Sequence, residues 1–113
     1  MRVLFFVALL LLAGCSEPVP HDQVVLRAEA EFAGSVHRQG SASCDSQVGL
    51  DVDLRDADLG EVRVKVTDGV MAYDETVPAG DHVRHDLVGT PGEWQIDATA
   101  ANLRGGFLAS LSC

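Results

Sequence analysis

Apolar and polar residues alternate one by one along most of this chain, and Gly, Pro, Asp and Asn interrupt the alternation at short intervals. Successive side chains of a strand point to opposite faces, so a period of two describes half-buried strands, and frequent turn residues keep them short. The pattern predicts an all-β fold, a small antiparallel β-sandwich of about seven strands. Val24, Leu26, Ala28, Ala30 and Phe32 make the inner row of the first strand, against Val25, Arg27, Glu29 and Glu31. Val24, Ala28 and Phe32 also share one helical face, and Ala and Glu favour helix, but the strict alternation assigns a strand.

In the middle of the chain Leu50, Val52 and Leu54 face one way and Asp51, Asp53 and Arg55 the other. After Asp56-Ala57-Asp58-Leu59-Gly60, Val62, Val64 and Val66 alternate with Glu61, Arg63 and Lys65. A hairpin closed by that five-residue loop would oppose Arg55 to Glu61, Asp53 to Arg63 and Asp51 to Lys65, each pair opposite in charge. Asp68-Gly69 then predicts a two-residue hairpin turn, carrying Met71, Tyr73 and Val77 into the third strand of a meander. Beyond Pro78-Ala79-Gly80 come Val83, His85 and Leu87, and beyond Thr90-Pro91-Gly92 come Trp94, Ile96, Ala98 and Ala100. Asn102 to Gly106 reads as another turn, before Phe107, Ala109, Leu111 and Cys113 on the last strand.

The N-terminus is built differently. Arg2 precedes an apolar run of eleven residues, Val3 to Ala13, the length of a secretory signal core and too short to span a bilayer. Residues 1–14 are therefore expected to be a signal peptide. The run ends in Leu12-Ala13-Gly14-Cys15, which resembles the bacterial lipobox at all four positions. The resemblance implies cleavage before Cys15, lipidation of that cysteine, and a stable membrane anchor of two or three acyl chains, palmitate among them. Ser16 is not the Asp associated with inner-membrane retention, so in a double-membrane bacterium the resemblance implies the outer membrane. Residues 15–22 include two prolines and read as an extended tether, which leaves 23–113 as the folded domain.

Within that domain, Gly92-Glu93-Trp94-Gln95-Ile96 followed by Gly106-Phe107-Leu108 is similar to the closing strands of secreted β-sandwich modules. These include immunoglobulin-like modules and the P-domains of subtilisin-type proteases. Ala109 and Ser110 stand where P-domains often carry a second aromatic, so the likeness implies a fold class and no site residue.

Composition decides which chemistry to look for. Acids outnumber bases 17 to 8 for a net charge of −9, which excludes nucleic acid as a partner, because phosphate binding needs a basic footprint. With Cys15 lipidated, Cys44 and Cys113 remain as a pair in an exporting compartment and are expected to form a disulfide. Closing that 70-residue loop would stabilise the fold by at most about 4.4 kcal/mol in the chain-entropy picture. Asp51, Asp53, Asp56, Asp58 and Glu61 invite a calcium reading, but the glycine falls at the wrong position for an EF-hand. The hairpin register leaves only Asp56 and Asp58, with Asp45, as an alternative site for Ca2+ or a transition metal. His82 and His85 point to opposite faces of a strand, His21 lies in the tether and His37 beside a turn. No Gly-x-Ser-x-Gly elbow and no phosphate loop occurs, and Trp94 and Tyr73 read as core anchors.

These observations predict a non-enzymatic lipoprotein of the bacterial cell envelope, without cofactor, acting as a protein-binding or assembly module. Its partners would be the membrane, through the lipid, and an envelope protein. The alternative is a metal-binding periplasmic lipoprotein using Asp56, Asp58 and Asp45.

Overall fold

The computed structural model describes residues 23–113. They form six antiparallel strands: β1 (Gln23–Cys44), β2 (Gln47–Asp53), β3 (Ala57–Thr67), β4 (Ala72–Pro78), β5 (His82–Val88) and β6 (Gly92–Ser112). The signal peptide, Cys15 and the tether with His21 lie outside the described residues.

All six strands belong to one hydrogen-bonded sheet, in the order β4-β3-β6-β2-β5, with β1 along the other edge of β6. The first half of β6 pairs with β3 and its second half with β2, while β1 follows it from end to end. A straight strand of 21 residues would reach about 70 Å. Cys44, however, pairs with Gly92 at the start of β6, and its Cα lies 5.3 Å from that of Cys113, just past the end of β6. The β1–β6 ribbon therefore doubles back on itself, and the Cys44–Cys113 disulfide joins its two ends.

The bend is local. From Ala30–Gly105 to Gly34–Leu103, β1 advances four residues while β6 advances two, a bulge that frees Glu31, Phe32 and Ala33 from pairing. On β6, Asn102 (φ 54°) and Gly105 (φ 112°) take left-handed backbone, which turns the strand sharply. A Cβ at Gly105 would run into the backbone of Asp56 and Ala57, so the β2–β3 loop packs directly against the kink.

Doubling back turns the inner rows of the two half-sheets toward each other. Val62, Val64 and Val66 of β3, Trp94, Ile96, Ala98 and Ala100 of β6, and Leu50 and Val52 of β2 are 0–1% exposed, in one cluster with Phe107, Ala109 and Leu111. The sheet curls until its end strands β4 and β5 meet through side chains, the Tyr73 and His85 rings packing at 5.4 Å between centroids with a tilt of 53°. No strand ladder joins those two strands, so the sheet closes nearly, but not fully, into a barrel.

Several expectations are corrected. The strands number six, in one sheet, because Asn102 to Gly106 is a kink inside β6 and not a turn between two strands. The β2–β3 hairpin does not form: β2 pairs with β5 and β6, and β3 with β4 and β6. Asp51 instead meets His82 and Arg84, Asp53 holds Arg55, and Arg63 holds Asp74. The β3–β4 hairpin forms with a four-residue connection, since Thr67 pairs with Ala72 and the Asp68 carboxylate accepts the N–H groups of Val70 and Met71. Phe32, assigned to the inner row, is 81% exposed, and Cys113 is exposed although Cys44 is buried.

Candidate functional site

Chain direction sorts every connection onto one of two poles. At the disulfide pole lie Gln23, Cys113, the β1–β2 turn at Asp45 and Ser46, the β3–β4 connection and the β5–β6 connection. Gly89 N–H donates to the Ser46 carbonyl there, and Thr90 N–H donates to the Asp68 carboxylate. Three backbone N–H groups, led by that of Thr90, pull the Asp68 carboxyl down to about 2. At the opposite, bulge pole lie Glu31–Ala33, the β2–β3 loop, the β4–β5 turn and the β6 kink. Leu54 ties the β2–β3 loop to the β4–β5 turn, its N–H donating to the Asp81 carbonyl and its carbonyl accepting from Ala57 and Gly80.

The β4–β5 seam carries a polar cluster. Tyr73 Oη donates to Glu75 Oε1 at 2.7 Å, and burial, then that hydrogen bond, push the phenol up to about 12. His85 Nε2 stands 2.8 Å from the same Glu75 oxygen but off the hydrogen-bonding line, so the buried nitrogen makes only an electrostatic contact. His82, from the other face of β5, reaches Asp51 at 2.9 Å. The two histidines thus point apart, as strand parity requires.

The acids considered for a metal do not converge. Arg104 forks onto Asp58 at 2.9 and 3.1 Å and lowers its carboxyl below the usual range, so that carboxylate already has its cation. Asp45 sits at the disulfide pole, and Asp56 at the bulge pole, with the whole of β2 between them. Asp53 is likewise held by the Arg55 side chain and its backbone N–H, which depress its carboxyl strongly. His37 pairs with Asp97 at 2.7 Å. Among the described residues no three His, Cys, Asp or Glu side chains come together as metal ligands. Trp94 is a core anchor whose indole N–H donates to the Asp45 carbonyl.

The bulge pole holds a feature that the alternation pattern concealed. A groove of about 460 Å³ runs over Ala28, Gly106, Phe107 and Leu108, with Arg27, Glu29, Asp53 and Asp56 at its rim. Arg27, Glu29 and Asp56 make no side-chain hydrogen bond or ion pair among the described residues. Phe32 stands three residues farther along β1. The available signal was Gly34, where the alternation of β1 breaks.

No protein-family model and no curated protein matches this sequence. Among solved structures the fold is similar to that of TmCBM61, a carbohydrate-binding module described in complex with β-1,4-galactotriose. The TM-score is 0.50 at 11% identity, over 80% of each chain. A Drosophila melanogaster CENP-C structure bound to CAL1 aligns at TM-score 0.35 and 10% identity, over 80% of this chain and 62% of that one. The first of these likenesses shows a shared fold.

Proposed function

We propose that this chain is a non-enzymatic binding module, held at a bacterial cell envelope by a lipid on Cys15. The observation that carries the reading is the position of Gln23. It pairs with Ser112 at the disulfide pole, so an anchor on Cys15 would attach to the domain at that pole, with the bulge pole at the far end. Asp53, Asp58 and Asp51 are each engaged by a cationic or histidine partner, and the Tyr73–Glu75–His85 group fills the β4–β5 seam. A fold shared with a module known with a bound galactotriose supports binding over catalysis as its use. In a double-membrane bacterium, Ser16 supports the outer membrane as the location.

Mass spectrometry of the mature protein tests the anchor. The expected N-terminal residue is an acylated Cys15, and Cys15→Ala is expected to leave the leader attached and to change membrane fractionation. An unmodified Cys15 overturns this part. Crosslinking in cells tests the binding, with a specific envelope component as the expected capture.

A further inference from the structure

We propose that the bulge pole binds an uncharged oligosaccharide, seated in the groove between Arg27, Glu29 and Asp56 and stacked on Phe32. The inference rests on the binding-module reading and names the ligand class that this reading leaves open.

Phe32 is the starting observation. Four aromatic residues fall within 23–113; Trp94 and Phe107 are buried in the core, Tyr73 is half-buried in the seam, and Phe32 is 81% exposed. Strand parity alone would turn Phe32 inward, in line with Leu26 and Ala28, which are buried. Phe32 instead lies in the unpaired stretch Glu31–Ala33, off the ladder, and is left exposed there. A bulge is a feature recurrent beside binding sites. Ala33, Gly34 and Ser35 follow it, side chains too small to cover the ring.

The groove supplies the second observation. It is an open depression of about 460 Å³. Register places Glu29 beside Gly106 and Arg27 beside Leu108, so the floor is apolar and shallow where Gly106 has no side chain. Asp53 is neutralised by Arg55, and Asp58 by Arg104. That leaves the Arg27 donors together with the Glu29 and Asp56 acceptors, a mixed lining suited to hydroxyl groups, which each donate and accept. A pyranose offers such hydroxyls at its rim and a C–H face that fits against the negative face of an aromatic ring. The acid excess of the chain disfavours polyanions, which narrows the class to uncharged sugars.

The test titrates full-length protein, in a detergent without sugar headgroups, with galactotriose, cellotetraose and N-acetylchitotetraose, and with polygalacturonate as the polyanion, by calorimetry. At least one uncharged oligosaccharide is expected to bind and polygalacturonate is not. Phe32→Ala and Glu29→Gln are each expected to weaken binding tenfold or more. Val70→Ala, which removes an equally exposed side chain at the opposite pole, is expected to leave it unchanged. Absence of sugar binding, or binding indifferent to Phe32→Ala, overturns the proposal. If sugars fail while a photo-crosslinking residue at position 33 captures an envelope protein in cells, the sugar assignment falls and the binding-module reading stands. If crosslinkers at both poles also capture nothing, both fall.

Discussion

His85 of β5 and Glu75 of β4 face each other across the seam where the curled sheet stops short of closure, Nε2 to Oε1 at 2.8 Å. Both belong to the inner rows of their strands, and Tyr73 completes the group by donating to the same carboxylate oxygen. A closed barrel would join β4 to β5 by backbone hydrogen bonds; here side chains span the gap. The seam therefore has a spectroscopic handle, because Tyr73 is the single tyrosine of the chain.

Titration of the phenol by ultraviolet absorbance is expected to show a midpoint near 12, where an ordinary tyrosine titrates near 10. Glu75→Gln should lower the midpoint without restoring the ordinary value, since burial is the larger cause. A folded pKa raised above the unfolded one contributes stability that is complete below about pH 10 and is lost as pH rises toward 12. Tyr73→Phe should accordingly flatten that alkaline loss. An ordinary midpoint in folded protein would contradict the seam geometry.

Asp68 governs the acid limb. Its carboxyl is depressed to about 2 by the N–H groups of Thr90, Met71 and Val70, so its contribution is present above the unfolded value near 4 and is lost as pH falls toward 2. Asp68→Ala is expected to lower the melting temperature at pH 7 and to shrink the difference between pH 7 and pH 2.5. Thermal melts of the two proteins across that range check this.

The fold-back of β1 makes a steric prediction. An added Cβ at Gly40 would lie 2.6 Å from Val24 Cγ2 and 3.3 Å from Leu26 Cδ2, contacts between the two halves of one strand. Gly40→Ala should cost about 1 to 3 kcal/mol through overpacking. Gln39→Ala, on the outer face next door, should stay within about 0.5 kcal/mol. Chemical denaturation measures both, and equal effects would refute the packing of β1 against itself.

Strand pairing is open to a double-mutant cycle. Arg63 forks onto Asp74 of β4 at 2.6 to 3.2 Å, whereas Asp53 is held by Arg55. Removing Arg63 and Asp74 singly and together should reveal a small coupling that added salt weakens, because the pair is exposed. The same cycle on Asp53 and Arg63 should show none. Coupling in the second cycle alone would restore the β2–β3 hairpin.

The amino-acid sequence by itself determined which side of each strand faces inward. Leu50, Val52 and Leu54, the valines of β3, the row from Trp94 to Ala100 and the row from Phe107 to Leu111 all lie where alternation puts them, because burying apolar area is a large effect that repeats at every second residue. Cys44 and Cys113 were legible as a pair because they are the two cysteines of the folded domain, and the structure joins them. Only the tertiary structure decided which strands are neighbours. Asp51 is as complementary to Lys65 as it is to Arg84, and exposed ion pairs are too weak to choose between them. Nor does alternation reveal that β1 and β6 are long strands doubled over a bulge and a kink. That bend exists because the apolar rows of the two half-sheets must face each other to be buried, and the bulge that accompanies it leaves Phe32 exposed.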